Sequence, residues 1–346
     1  MPEAVREVLW APSADRVQRA EIERYRSWLA RTRGLTLPDY QALQRWSVTD
    51  VEAFWESIIE YFGVEFATPP TRTLSSHRMP GAHWFEGASL NYAEHLFRNR
   101  DPGALAIQHA SETRPLSSWT WGELQAQTAR IAVGLRALGV TQGDAVAAYM
   151  PNIPETVAAL LATAGIGAIW SSAAPEFGAR AVIDRFSQIE PKVLLGVDGY
   201  RYGGRDFDRT ATLAEIAAAI PSTPTLIRFG YLDGTGWPDD FPPTSGSSPA
   251  QARAGEMEYT SVPFEHPLWV LYSSGTTGLP KAIVHSQGGI LLEQLKVANL
   301  HLDAQVGDRV FWFTTTGWMM WNFLVGVLLT DASIVLFDGN PGHPDL

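Results

Sequence analysis

Ser273-Ser-Gly-Thr-Thr-Gly278 gathers two glycines and four hydroxyl side chains into one short stretch, and Lys281 follows closely. Glycine lets backbone amides converge on an anion without a side-chain clash, and the hydroxyls add donors. Lys281 brings a mobile positive charge. Such a loop suits the phosphates of ATP or of leaving pyrophosphate. It is not the standard P-loop, because Leu279 and Pro280 separate Gly278 from Lys281 and no Ser or Thr follows that lysine. A bare Gly/Ser/Thr turn is more often structural than functional, but the full string Tyr272-Ser-Ser-Gly-Thr-Thr-Gly-Leu-Pro-Lys281 is too specific for chance. His285, just past the loop, reads as a packing partner rather than a catalyst.

The elements that must position this loop can be read from periodicity and punctuation. Leu268–Tyr272 is expected to be a strand feeding the loop and Ala282–His285 a second strand, with a helix over Gly288–Leu300. Upstream, the pattern predicts strands at Ala104–Gln108, Asp144–Tyr149, Ile166–Ser171 and Lys192–Val197. Helices are expected at Leu90–Arg98, Trp121–Leu138 and Ala179–Ile189, with another opened by Pro151 and Pro154. Arg309–Phe313 and Ser333–Phe337 read as further strands. Alternating strands and helices with short links predict an α/β fold of layered, mostly parallel sheets flanked by helices. Residues 1–89 read as a tryptophan-rich helical extension and connector, with helices at Ala20–Arg31 and Thr49–Phe62, the latter opened by a Thr49/Glu52 capping box. Residues 90–346 form the α/β domain, and the Pro/Gly/Ser-rich stretch 237–258 is a surface loop.

Composition narrows the classes. The formal net charge is −11, from 26 basic and 37 acidic residues, so a general nucleic-acid surface is not expected. There is no cysteine, which excludes disulfides, thiolate metal sites and cysteine nucleophiles. No signal-peptide pattern opens the chain, and the apolar stretches Val157–Ser171 and Phe323–Leu329 are short for a membrane span. A soluble cytoplasmic protein without a membrane partner is the expectation; oligomeric state is not readable.

The loop string resembles the signature of the acyl- and aryl-CoA synthetase, adenylation-domain and luciferase superfamily. The resemblance runs along nearly the whole chain. Trp84-Phe-Glu-Gly-Ala-Ser-Leu-Asn-Tyr92 is similar to the entry segment of its short-chain acyl-CoA synthetases, and Tyr149-Met-Pro-Asn-Ile-Pro-Glu-Thr156 to their second common block. The resemblance implies formation of an acyl-adenylate from a carboxylate and ATP with Mg²⁺, then transfer to coenzyme A. It implies that Ser273, Ser274, Gly275, Thr276, Thr277, Gly278 and Lys281 hold the ATP phosphates, with Thr276, Thr277 and Lys281 in the catalytic role. Gly199-Tyr-Arg-Tyr-Gly-Gly-Arg205 is similar to a basic segment near the CoA 3′-phosphate, which implies Arg201 and Arg205 as CoA contacts. Exposed arginine pairs are otherwise usually solvated surface.

Phe313-Thr-Thr-Thr-Gly-Trp-Met-Met-Trp-Asn322 resembles the block lining the acyl pocket, implying Trp318, Met319, Met320 and Trp321 as its wall. Aromatic and methionine runs are otherwise ordinary core. Acetyl-activating members carry smaller residues after Gly-Trp, whereas the Met-Met-Trp-Asn pattern resembles the acetoacetate-activating subgroup. Acetoacetate is therefore the expected acid, with acetate or propionate as alternatives. The adenine, ribose and lid-lysine blocks of the superfamily do not map onto residues 1–346. The expectation is a front half that is weak or inactive alone and lacks the C-terminal lid and any metal ligand of its own. A non-catalytic nucleotide- or acyl-binding module and an adenylation domain serving a carrier protein are the rival readings.

Overall fold

The computed structural model of the chain describes residues 9–241, 257–273 and 278–345. Ser274, Gly275, Thr276 and Thr277 of the glycine loop, and residues 242–256 of the expected surface loop, lie outside the described residues.

A six-stranded sheet carries the site. Its order is Thr225–Phe229, Val193–Val197, Ala145–Tyr149, Ile169–Ala173, Pro267–Ser273 and Lys281–Ser286. The first five strands run parallel, and the last is antiparallel to its neighbour. Parallel strands covered on both faces need unbroken apolar runs. Ala145–Tyr149 and Val193–Val197 are accordingly buried at every position.

Helix Pro154–Ile166 covers one face. All of its residues except Glu155 are buried, so it shows little amphipathic contrast. Proline opens it, where no backbone donor is lost, and Gly167 closes it at φ +78°. Helix Trp121–Ala137 packs beside it and begins with a capping box between Thr120 and Glu123. The opposite face buries Tyr149, Leu194, Val182, Phe186, Leu213 and Ile216.

A second, four-stranded sheet runs Arg309–Phe311, Ser333–Asp338, Leu105–Ser111, Ser117–Thr120. Its first three strands are parallel and the last is antiparallel. The chain is thus α/β with mixed sheets flanked by helices.

The N-terminal helices Glu21–Arg33, Tyr40–Thr49 and Val51–Tyr61 form a layer whose Tyr25, Leu29 and Ile58 join the same core as Leu160, Trp269 and Trp321. Tyr25 stacks on Trp28 and meets Tyr61 edge-on, and its hydroxyl lies 2.5 Å from Ser57 Oγ. Burial pushes the Tyr25 phenol up to about 12. Two local expectations fail here. The Thr49/Glu52 capping box does not form: Thr49 ends the preceding helix, its hydroxyl donating to Arg45 and Trp46 carbonyls, and the Asp50 carboxylate caps the next one through Ala53 N–H. The helix expected over Gly288–Leu300 is α-helical only over Gln287–Leu295 and continues as a π-helix over Lys296–His301. No helix among the described residues is long and apolar enough to cross a membrane.

Candidate functional site

The strand Pro267–Ser273 leads into the glycine loop, and Lys281 begins the returning strand. Ser273 and Lys281 are direct partners across the antiparallel ladder, so both ends of the loop are fixed by backbone pairing. Lys281 is exposed. The turn is also tied from the side. Gln188 Nε2 donates to Pro280 O at 2.9 Å, and the Tyr272 hydroxyl donates to Arg185 O at 2.7 Å. The Arg185 guanidinium lies 5.3 Å from the Phe177 ring centroid and 5.9 Å from that of Tyr272. Burial lowers the Arg185 pKa and raises that of Tyr272 to about 12.

The methionine- and tryptophan-rich block is tied to the strand beside the one that leads into the loop. Ile169–Ala173 neighbours the loop-bearing strand, and Ser171 Oγ donates to Val270 O at 2.9 Å. One residue on, Ser172 Oγ donates to Thr316 O at 2.8 Å, and Thr316 Oγ1 donates to Met150 O at 2.7 Å. Gly317 sits against Phe177, where a Cβ would come within 2.8 Å of the ring. Tyr149 holds the turn carrying Phe177, its hydroxyl lying 2.5 Å from Pro175 O and 2.8 Å from Phe177 O.

Within that block the four expected wall residues divide. Trp318 and Met319 are 58% and 55% exposed, and Met320 is half-buried. Trp321 is fully buried, and its Nε1 donates to Asn152 Oδ1 at 2.9 Å. It presents no surface to a ligand, whereas Trp318 and Met319 do.

The basic segment forms a hairpin, Gly199–Tyr202 against Arg205–Asp208. Arg201 pairs with Asp206 and Tyr202 with Arg205, so the two arginines project from opposite faces. Arg201 is bound by Asp206 through contacts of 2.5 and 3.1 Å. Arg205 is exposed and has no ion-pair partner among the described residues. The hairpin is anchored near its base by Arg209, which lies over Tyr200 and donates to Pro175 O at 2.8 Å.

His285 accepts from Trp269 Nε1 at 2.9 Å, and burial lowers its pKa, which fits the packing role expected of it. Ser172 links the block to the strand Ile169–Ala173 through Thr316, and Asn152 anchors Trp321. Nothing in the sequence marks either residue for this role, although Asn152 lies within the block Tyr149–Thr156. Among the described residues no group of three or more His, Asp or Glu is placed to hold a metal ion.

A family model described as AMP-binding enzyme matches residues 97–345, and one described as acetyl-coenzyme A synthetase N-terminus matches residues 40–96. An acetoacetyl-coenzyme A synthetase of Rhizobium meliloti (strain 1021) is 39% identical over 338 residues, covering 97% of this chain and 52% of the relative. A malonamoyl-CoA synthetase of Penicillium aethiopicum is 34% identical over 358 residues, covering 98% of this chain and 49% of that relative. The solved structure of an acetoacetyl-CoA synthetase from Streptomyces lividans superposes with a TM-score of 0.91 at 50% identity, covering 98% of this chain and 52% of that one. The chain spans about half the length of these relatives.

Proposed function

Because this chain belongs to the AMP-binding enzyme family, we propose that it supplies the phosphate loop and acid-binding wall of an ATP-dependent acid–thiol ligase, with acetoacetate as the acid. The observation that carries the reading is the hydrogen-bonded run Val270–Ser171 and Ser172–Thr316–Met150. It ties Thr316, within the block Phe313–Asn322, to the strand Ile169–Ala173, which neighbours the strand Pro267–Ser273 that leads into the glycine loop. A nucleotide held by the loop and an acid held by the block would then meet.

In the first step an acid carboxylate oxygen attacks the α-phosphorus of ATP, and pyrophosphate leaves. The loop, residues 273–278, would surround the phosphates, and Lys281 would order the loop and offset charge developing on the leaving group. Mg²⁺, bound with ATP, would offset charge on the phosphates. In the second step the CoA thiol attacks the acyl carbon of the mixed anhydride and AMP leaves. Arg205, and Arg201 if it exchanges Asp206 for a ligand, would meet a CoA phosphate. Trp318, Met319 and Met320 would shape the acid pocket. In domain terms, residues 1–89 would buttress the α/β unit 90–346 rather than take part in the chemistry.

The substrate assignment is supported by the subgroup pattern at Gly317–Asn322 and by the acetoacetyl-CoA synthetases among the relatives. A second reading has one observation in its favour. Malonamate, the acid implied by the Penicillium relative's name, has the size of acetoacetate and a carbonyl at the same position. The test is to incubate the protein carrying this chain with ATP, Mg²⁺, CoA and one acid at a time, and to quantify the thioester by mass spectrometry. Acetoacetyl-CoA should dominate over the malonamoyl, acetyl, propionyl and butyryl products. Preference for another acid overturns the assignment but keeps the ligase. No thioester with any acid overturns the ligase.

A further inference from the structure

The hairpin bearing Arg201 and Arg205 is held by a carboxylate from a distant segment. Glu112 follows the strand Leu105–Ser111. Its Oε1 accepts from Gly203 N–H at 2.8 Å and from Asn340 N–H at 2.7 Å, and its Oε2 accepts from Gly204 N–H at 2.7 Å. Gly203 and Gly204 have φ of +60° and +72°, the two-residue turn that lets adjacent amides point at one anion. Burial works against the charged form of Glu112, but the amides of Asn340, Gly204 and Gly203 outweigh it and hold the carboxyl below its usual range. The site is closely fitted. A Cβ on Gly339 would come within 2.8 Å of Glu112 Cγ, and one on Gly204 within 2.9 Å of the His343 ring.

We propose that Glu112 is a positioning residue for coenzyme A: by clasping the hairpin tip it fixes where Arg205, next to the turn, presents its guanidinium to a CoA phosphate. This rests on the reading of the hairpin as the CoA-facing segment. No other ionised side chain bonds the tip among the described residues. The same carboxylate ties the tip to Asn340, just beyond the strand Ser333–Asp338, so the hairpin is set against the four-stranded sheet. Without the clasp the two-glycine turn would be free to sample other conformations.

The test uses the protein carrying this chain, with steady-state kinetics on CoA and on 3′-dephospho-CoA. Glu112→Gln should raise KM for CoA about fivefold to tenfold, the scale of a weakened charge-assisted contact. Its kcat and its KM for ATP should stay within about twofold. With 3′-dephospho-CoA the wild type and the variant should match. Glu112→Asp, a charged but shorter side chain, should fall between them. Gly204→Ala, which disturbs the turn without altering charge, should give the same CoA-specific defect and stands in if Glu112→Gln does not fold. An unchanged KM for CoA in both variants, or an equal loss with the dephospho form, overturns the proposal and leaves Glu112 a turn cap. Arg205→Ala separates the two levels. If it leaves KM for CoA unchanged, the hairpin reading itself is wrong; if it raises KM while Glu112→Gln does not, only the positioning role falls.

Discussion

Ser273 and Lys281 face each other across the antiparallel ladder at the edge of the six-stranded sheet, so their side chains share a face. The glycine loop between them therefore leaves and returns at one fixed place, further held by Gln188 on Pro280 O. Lys281 is exposed and makes no ion pair among the described residues, so its removal should cost the fold little. Lys281→Ala is expected to lower ATP–pyrophosphate exchange by about a hundredfold, the low end for one lost transition-state donor, with less than about 0.5 kcal/mol lost in urea unfolding. A large stability loss with intact exchange would make the lysine a structural ladder residue.

The opposed faces of Arg201 and Arg205 separate two residues that the sequence alone treats as a pair. Arg201 must give up its two contacts with Asp206 before it can hold a phosphate. Arg205→Ala should therefore raise KM for CoA more than Arg201→Ala does. Asp206→Asn should release Arg201 and lower KM for CoA, an effect that shrinks as salt screens the added charge. Equal defects in the two alanine variants would mean that the hairpin rearranges on binding.

Much of this was legible in the sequence, and the exceptions share a cause. Local signals placed the strands and helices because apolar runs, prolines and closing glycines such as Gly167 act over a few residues. Local signals also misled. Thr49 and Asp50 are both competent caps, and which one caps depends on where the preceding helix ends. The Met-Met-Trp run read as one wall, but helix Met319–Gly326 turns Trp321 inward to Asn152 and leaves Met319 at the surface. Glu112 had no signal at all. Its partners are backbone amides far along the chain, and an amide carries no residue type to read.

The inward turn of Trp321 separates stability from acid selection. Asn152→Ala would leave the buried indole N–H of Trp321 unpaired, at a cost of about 1–3 kcal/mol by urea unfolding. Met319→Ala removes a half-exposed side chain and should cost under about 1 kcal/mol. It should nevertheless shift kcat/KM between acetoacetate and butyrate by about tenfold, the scale on which a pocket reads one shape difference. An unchanged acid preference would remove Met319 from the pocket wall.

Asp338 offers a pH-dependent test of the same region. Burial pushes its carboxyl up to about 7, with Glu176 and Glu112 adding to the rise, while the Tyr231 hydroxyl, donating at 2.9 Å, and Arg114 pull it down. A carboxyl whose folded pKa is raised keeps its proton in the folded chain after the unfolded chain has lost it. Its stabilising contribution is complete below about pH 4 and is lost as pH rises toward about 7. Each pH unit in that window removes at most about 1.4 kcal/mol, less where solvent reaches the group. Asp338→Asn keeps an acceptor for Tyr231 and carries no charge at any pH. The variant should gain stability relative to wild type between pH 4.5 and 7.5, measured as the difference in urea unfolding free energy. Glu112→Gln has the opposite sign, because that carboxyl is lowered in the folded state: the wild-type advantage should be present at pH 7.5 and shrink as pH falls below the usual carboxylate range. A parallel pair of stability profiles for Asp338→Asn and wild type would show that Asp338 titrates as an ordinary carboxylate and that the end of the strand Ser333–Asp338 is open to water.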